Sequence, residues 1–191
     1  MPLTIAPPVP VSAVARDGIE VDLPRLGRTA VGLRGRHQAA NVAVADALLD
    51  ALEAAGIARA DGAARRHGYG AARWPGRLEL LTVPGPAGRA TDILLDGAHN
   101  PAGAATLAAA LDDLRPFLAP APPAPLTLVW ASMTDKDVAG AAAVIAASPA
   151  MRGALVLCTR VDAPRALDPA ALAATWRRVV PELTVATAAT P

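Results

Sequence analysis

The second half of the chain alternates between short apolar runs and longer segments of helical periodicity, and this alternation restricts the fold more than any other feature. The runs at 126–130 and 154–158 are apolar throughout, and helical patterns occupy 102–115, 137–147 and 168–179. Strands buried on both faces have this composition, and such sheets are usually parallel with helices packed on each side. The sequence therefore predicts an α/β domain with a mostly parallel sheet flanked by helices.

More strands are predicted at the ends of this half, at 78–83, at 92–95 and within 181–191. The break Trp74-Pro75-Gly76 precedes the first of them, and the sequence pattern changes directly after it. We therefore expect two domains, one at 1–73 and one at 74–191.

The first part of the chain has strand signals followed by a helix signal. Residues 9–23 alternate like a hairpin with the turn Arg16-Asp17-Gly18, and 29–33 can add another strand. Apolar residues then recur at helical spacing from about 38 to 55. For 57–73 the pattern leaves a short helix and a loop equally open.

Charge and composition exclude several classes of protein. Lys and Arg total 18 and Asp and Glu total 17, so no strong field attracts nucleic acid or an anionic membrane. No apolar stretch is long enough for a transmembrane helix and the N-terminus lacks a signal sequence, so we expect a cytoplasmic protein. A single cysteine, Cys158, excludes an internal disulfide, and its apolar run predicts a buried, inert thiol. The sole lysine, Lys136, is not preceded by the glycines of a P-loop.

The segment Ile93–Pro101 is the most informative for chemistry. A strand delivers Asp96 at its carboxyl end, Asn100 is suited to cap the next helix, and Pro101 fits the first helical position. Ligands of open α/β sheets bind at such strand ends, beside helix N-termini that favour anions. Asp96 and His99 are therefore candidate ligand-binding residues. A capped helix with a solvated histidine is the alternative.

Two other segments have residues suited to a nucleotide. Arg77 follows the rigid Trp74-Pro75-Gly76, and its planar guanidinium suits phosphate. Asn41 lies in the first turn of the helix opened by Gly35–Ala40, where an amide can bind the edge of a base. Taken alone, each is better explained as an ordinary turn or helix start.

The loops after the two central strands carry further polar residues. Asp137 is suited to cap the helix after 126–130, and Lys136 beside it suits a phosphate or an acidic substrate. Arg160 follows the next strand at the equivalent sheet edge. Solvated loops explain both segments as well, and the roles of these three residues stay open. The three histidines are too dispersed for a metal site, so none is predicted.

Together these motifs resemble a known family. Gly35-Arg36-His37-Gln38-Ala39-Ala40-Asn41, Trp74-Pro75-Gly76-Arg77, Asp96-Gly97-Ala98-His99-Asn100-Pro101 and Asp135-Lys136-Asp137 occur in the order found in folylpolyglutamate synthase and dihydrofolate synthase of the Mur ligase superfamily. The resemblance covers the carboxyl-terminal half of those enzymes. It implies a Rossmann-like C-terminal domain preceded by an incomplete remnant of the central ATPase domain, made of strands plus a helix.

The resemblance also implies an activity and its site. Members use ATP to phosphorylate a carboxylate of folate or dihydropteroate, and the amine of L-glutamate then attacks the acyl phosphate. By motif match, Asn41 would contact adenine, Arg77 the phosphates and Asp96 the ribose. His99 is a weaker candidate, catalytic or binding, for the same cleft.

The chain departs from the family where the chemistry is concentrated. The P-loop, the Mg²⁺ ligands and a modified lysine belong to an upstream N-terminal part that this sequence lacks, and we expect the family's last strands to be missing after Pro191 as well. We therefore expect a fragment that is inactive alone. Two alternatives stay open: another Mur-family amide ligase, and a non-catalytic module that binds a nucleotide or a partner chain. An in-frame P-loop encoded upstream of Met1 would separate the ligases from the module.

Overall fold

The computed structural model describes residues 5–85 and 88–188. The chain divides into two compact units. The first runs to Leu81 and includes Ile93–Leu95, and the second includes Thr82–Asp92 and the residues from Asp96 onward. Each unit has its own core.

The first unit begins with a three-stranded antiparallel sheet. Its strands are β1 (Val11–Ala15), β2 (Gly18–Leu23) and β3 (Gly27–Val31), in that order, so the predicted hairpin and third strand are confirmed. A Cβ on Gly18 would lie 2.0 Å from the carbonyl oxygen of Val31, so the turn into β2 requires glycine.

Two helices complete this unit. Helix α1 (Gln38–Ala54) follows the predicted periodicity, and Gly56, with φ +69°, ends it in the left-handed conformation. The segment that the sequence left open between a short helix and a loop contains helix α2 (Gly62–Ala71), because Asp61 caps it by accepting a hydrogen bond from Ala64 N at 2.8 Å. The core is formed by side chains from β2, β3 and α1: Ile19, Val21, Leu23, Val31, Ala39 and Val42.

A buried arginine connects the two helices. Arg65 of α2 donates from Nη1 to Asp46 Oδ1 at 3.0 Å and to Asp50 Oδ1 at 2.7 Å, and from Nη2 to Glu53 Oε2 at 3.3 Å. Tyr69 Oη also donates to Asp46 Oδ1, at 2.8 Å. This network was not predicted from the sequence, although the three acids of α1 are spaced four and three residues apart and so share one helix face.

The strands β4 (Glu79–Pro84) and β5 (Ala90–Leu95) pair in a two-stranded sheet, and they correspond to the strands predicted at 78–83 and 92–95. Thr82 Oγ1 donates to Asp92 Oδ1 at 2.6 Å, and Asp92 Oδ2 accepts from Ala119 N at 2.7 Å. Asp92 thus fixes the segment that follows the next helix.

The second unit contains a parallel sheet of three strands. Strands β6 (Thr127–Trp130), β7 (Leu155–Cys158) and β8 (Thr184–Thr187) lie in that order. The parallel arrangement and the strand within 181–191 are confirmed, although 189–191 lie outside the described residues. The helices of this unit are α3 (Pro101–Leu114), α4 (Val138–Ala146) and α5 (Pro169–Val179).

The core of this unit lies between one sheet face and the helices. Trp176 of α5 is fully buried and meets Trp130 edge to face, with ring centroids 5.2 Å apart and planes at 74°. Val156 and Cys158 of β7 are also fully buried. Burial raises the pKa of the Cys158 thiol, which keeps it protonated and unreactive, as the sequence predicted.

The prediction that both central strands are buried on both faces is wrong for β6. Val129 is 54% exposed, whereas Leu128 and Trp130 on either side of it pack against the core. Successive side chains of a strand point to opposite faces, and in β6 the helices cover the face of Leu128 and Trp130. An uninterrupted apolar run therefore did not distinguish full burial from burial on one face.

Candidate functional site

The Trp74–Arg77 motif of the first unit is a tight turn. Arg77 N donates to Trp74 O at 3.1 Å, Pro75 occupies the second position, and Gly76 at the third has φ +71°. This sequence and conformation fit a type II turn, which requires a positive φ at its third position. Gly76 N also donates to Glu79 Oε2 at 2.8 Å, so the turn is held from both sides and presents the exposed Arg77.

Arg34, which the sequence analysis did not single out, fixes the residue after this turn. Its Nε donates to Arg16 O at 2.7 Å and its Nη1 to Leu78 O at 3.2 Å. Leu78 is buried in the left-handed conformation, with φ +45°, which is uncommon outside glycine. Burial lowers the pKa of the Arg34 guanidinium, while the charge of Asp17 opposes this shift. In the sequence, only the position of Arg34 between β3 and a glycine could have indicated this role.

The start of α1 holds Asn41 in a chain of side-chain hydrogen bonds. Asn41 Nδ2 donates to Gln38 Oε1 at 2.8 Å, and Gln38 Nε2 lies 2.9 Å from His37 Nε2. Gln38 is buried and Asn41 is exposed. Gly35 has φ +92°, a conformation that favours glycine, and a Cβ there would lie 2.9 Å from Leu78 Cδ1, so this turn places the helix start against Leu78.

In the second unit, Asp96 and His99 lie in the turn between β5 and α3. Asp96 Oδ1 accepts from Ala98 N at 2.8 Å, and His99 Nδ1 lies 3.0 Å from Gly97 O. Asn100 caps α3 by accepting from Gly103 N at 2.8 Å, with Pro101 at the first helical turn. The predicted strand-end carboxylate, cap and proline are confirmed. Asp96 is half-buried and His99 is exposed.

The N-termini of α3 and α4 lie side by side. A Cβ on Gly140 would lie 3.0 Å from Pro101 Cγ, so the glycine permits a close approach of the two helices. Asp137 caps α4, as predicted, by accepting from Gly140 N at 2.9 Å. Two helix N-termini at one place add their positive ends, which favours a negatively charged group near them.

The loops that follow β6 and β7 are joined by backbone hydrogen bonds and ion pairs. Thr134 N donates to Arg165 O at 2.9 Å, and Asp135 Oδ2 lies 3.3 Å from Lys136 Nζ and 3.2 Å from Arg165 Nη1. Burial would raise the pKa of Asp135, but hydrogen bonds to its carboxylate and the two cations lower it overall. The ammonium group of Lys136 is therefore paired with the carboxylate of Asp135. Arg160, the candidate residue after β7, is exposed.

The four candidate residues thus fall in two pairs. Asn41 and Arg77 belong to the first unit, and Asp96 and His99 to a single turn of the second. Among residues 5–85 and 88–188, no three His, Cys, Asp or Glu side chains group closely enough to hold a metal ion. None of the helices within those ranges has the length and apolar character needed to cross a membrane.

Residues 76–190, more than half of the chain, match the family model described as Mur ligase, glutamate ligase domain. The chain belongs to the Mur ligase family. The match begins within the Trp74–Arg77 turn, and it contains both the Asp96–Pro101 turn and the capped start of α4.

Individual members of the Mur ligase family connect the chain to folate enzymes. It is 39% identical over 142 residues to the dihydrofolate synthase/folylpolyglutamate synthase of Mycobacterium tuberculosis, a match covering 74% of this chain and 26% of the relative. Among solved structures, M. tuberculosis folylpolyglutamate synthase complexed with ADP and AMPPCP matches 96% of this chain with 34% identity and a TM-score of 0.70. Folylpolyglutamate synthase from Thermotoga maritima matches 95% with 26% identity and a TM-score of 0.68.

These Mur ligases are much longer than the present chain. The chain covers 38% of the M. tuberculosis structure and 42% of the T. maritima structure. The predicted family and its α/β fold with a parallel sheet flanked by helices are confirmed. The activity, substrates and partners of the whole relatives apply to this chain only as proposals.

Proposed function

We propose that the chain is the C-terminal portion of an ATP-dependent ligase that adds L-glutamate to folate or dihydropteroate. The observation that carries this proposal is the match of nearly the whole chain to a folylpolyglutamate synthase complexed with ADP and AMPPCP. Residues 1–73 would then belong to the central ATP-binding domain and 74–191 to the glutamate ligase domain. The cytoplasmic location expected from the sequence stays a prediction.

The local geometry supports a nucleotide role for the candidate residues of the first unit. The type II turn holds the backbone of Arg77 rigidly, which reduces the entropy lost when its guanidinium binds phosphate. Because Asn41 Nδ2 already donates to Gln38, its carbonyl oxygen is the atom suited to accept a hydrogen bond from the amino group of adenine.

The second unit also has groups suited to a nucleotide. Asp96 is held by Ala98 N at the end of β5, where a carboxylate can accept hydrogen bonds from the vicinal hydroxyls of a ribose. His99, which directly precedes the Asn100 cap of α3, is a weaker candidate for the same cleft. The family's Mg²⁺ would be held by residues outside this chain.

In the reaction proposed for the whole ligase, a substrate carboxylate attacks the γ-phosphorus of ATP and ADP leaves. The amine of L-glutamate then attacks the acyl phosphate, forming an amide and releasing phosphate. This chain would supply one wall of the nucleotide site. The alternative is a module that binds a nucleotide and catalyses no reaction. It predicts that a longer protein containing this chain binds a nucleotide without any turnover of substrate.

We expect the 191-residue chain alone to release no ADP in a glutamate-dependent manner, because it has no P-loop lysine: its sole lysine, Lys136, is paired with Asp135 after β6. A coupled assay of ADP release with ATP, L-glutamate and either folate or dihydropteroate tests this expectation. The matched sample is a fusion of this chain to the upstream part of the M. tuberculosis relative. Glutamate-dependent turnover by the chain alone would refute the prediction.

In the same fusion protein, Arg77→Ala is expected to weaken ATP binding by about 1.5–3 kcal/mol, because a charge-assisted hydrogen bond to phosphate is lost. Isothermal titration with ATP measures the change. Arg152→Ala, which removes an exposed arginine from the second unit, is the matched control and should leave the affinity unchanged. Equal affinities in the Arg77 variant and the parent would remove Arg77 from the site.

A further inference from the structure

Arg34 joins two segments of the first unit that are far apart in the sequence. Its side chain follows β3 and is 15% exposed. Its Nε donates to Arg16 O, in the turn between β1 and β2, and its Nη1 donates to Leu78 O. The planar guanidinium presents several N–H donors in fixed directions, so one side chain can bind both carbonyls at once. Arg34 therefore connects the hairpin turn to the residue that follows the Trp74–Arg77 turn.

Burying this guanidinium costs free energy that a structural role alone does not require. Asp17 lies 3.5 Å from Arg34 Nη2 and is itself 85% exposed, so this ion pair contributes little. Burial lowers the pKa of Arg34, the charge of Asp17 opposes this shift, and the charges of Arg16 and Arg73 add to it. An apolar side chain would fill the same space without losing hydration. The charged side chain thus provides the two carbonyl contacts, which an apolar one could not make.

Arg77 lies between two anchored residues. On one side, Gly76 N donates to Glu79 Oε2 at 2.8 Å. On the other side, Leu78 has φ +45°, in the left-handed region that is unfavourable for a residue with a branched side chain. Burial of the Leu78 side chain fixes where this residue lies, and the hydrogen bond from Arg34 fixes the orientation of its carbonyl group. The direction in which the Arg77 side chain leaves the turn therefore depends on Arg34.

We propose that Arg34 is a positioning residue for Arg77: by holding the carbonyl of Leu78, it orients the guanidinium of Arg77 toward phosphate. Arg34 acts through the turn and does not touch the nucleotide. This rests on the proposed function, in which Arg77 binds the phosphates of ATP. A side chain on an ordered turn loses less conformational entropy on binding than one on a mobile turn. The anchoring by Arg34 should therefore increase the affinity for ATP.

Amide hydrogen exchange of the 191-residue chain, followed by NMR, tests the positioning directly. Arg77 N donates to Trp74 O, so its exchange rate reports how often the turn opens. Arg34→Met should raise this rate at least about tenfold and leave the interior amides of α1 unchanged. Arg28→Met removes a 66% exposed arginine from β3 as the matched control, and it should change neither rate. Unchanged exchange at Arg77 in the Arg34 variant, or an equal increase at Arg77 and in α1, would overturn the proposal.

Titration with ATP tests whether this positioning acts on binding. It uses the fusion to the upstream part of the M. tuberculosis relative and a double-mutant cycle of Arg34→Met and Arg77→Ala. With Arg77 present, Arg34→Met should weaken ATP binding by about three- to tenfold, because the guanidinium is then ordered only on binding. In the Arg77→Ala background, the same substitution should change the affinity by less than about twofold. Equal losses in the two backgrounds would show that Arg34 acts independently of Arg77 and would contradict the proposal.

A second variant keeps the test independent of the folding of Arg34→Met. Arg34→Lys keeps the positive charge but replaces the planar fork with a single ammonium group, so it should fold and still raise the exchange rate at Arg77. An exchange rate at Arg77 equal to that of the parent would again overturn the proposal.

Failure of the proposed function gives a different result from failure of this inference. If the fusion without substitutions binds no ATP while Arg34→Met still opens the turn, the nucleotide site is wrong and the positioning of Arg77 stands. If that fusion binds ATP and Arg34→Met neither opens the turn nor weakens binding, the role of Arg34 alone is refuted.

Discussion

Replacing Arg65 with methionine is expected to lower the free energy of unfolding of the first unit by about 3–5 kcal/mol. The guanidinium is buried and donates to Asp46, Asp50 and Glu53 of α1. Without it, Asp46 keeps its burial but loses its cation, and an uncompensated buried charge is strongly destabilising. Since domains are stable by only about 5–15 kcal/mol, much of the first unit's stability would be lost.

Urea unfolding followed by far-UV circular dichroism measures this effect. Arg59→Met is the matched control, because Arg59 contacts the same acidic cluster at Glu53, at 3.5 Å, with its side chain 85% exposed. An exposed pair of this kind contributes about 1 kcal/mol or less. If Arg65→Met and Arg59→Met lower the free energy of unfolding by similar amounts, burial of Arg65 does not stabilise the cluster.

The pH dependence of stability is a further readout of the same variant. The hydrogen bond from Arg65 holds the pKa of Asp50 below its ordinary value in the folded state. The stabilisation is therefore present above the unfolded pKa of the carboxyl and is lost as the pH falls through the folded pKa. Arg65→Met should reduce this loss of stability on acidification, and an unchanged acid profile would contradict the coupling of Asp50 to Arg65.

Replacing Trp176 with alanine is expected to destabilise the second unit by about 3–5 kcal/mol. The indole is fully buried between α5 and the sheet and meets Trp130 edge to face. Its removal leaves a large cavity and deletes an aromatic contact, and both effects act in the same direction. The loss should appear in thermal and urea unfolding.

Trp176→Phe separates the contributions to this loss. Trp176 Nε1 is buried and has no hydrogen-bond partner among the described residues, so phenylalanine removes a polar group that gains nothing from burial. We expect a clearly smaller destabilisation than in Trp176→Ala, since most of the aromatic volume is kept. If Trp176→Phe and Trp176→Ala lower the free energy of unfolding equally, the edge-to-face packing of Trp176 is not what stabilises this core.

The elements that the sequence predicted correctly are those set by neighbouring residues. Asn100 and Asp137 cap α3 and α4 through backbone N–H groups three residues away, and Gly76 adopts the positive φ that its turn demands. The parallel pairing of β6, β7 and β8 was also predicted, because strands connected through helices pair in parallel. The roles of Asn41, Arg77, Asp96 and His99 in binding a nucleotide stay predictions.

The features that the sequence missed depend on residues far apart in the chain. Arg34 reaches Leu78 O, 44 residues away, and Arg65 reaches Asp46, 19 residues away. The segments that pack over a charged side chain determine whether it is buried with partners or solvated. The residues next to it in the sequence do not show which segments those are. The same holds for Val129. Its apolar strand predicted burial on both faces, but the helices cover only one face.

The sequence by itself determined where most helices and strands lie and how α3 and α4 begin, because capping, turn conformation and periodicity involve side chains within about four residues of each other. It also determined that the chain cannot form a P-loop. Only the tertiary structure decided which acids Arg65 neutralises, which carbonyls Arg34 holds, and which face of β6 stays uncovered. The physical reason is that burial and charge pairing arise from contacts between distant segments, and those contacts exist only once the chain has folded.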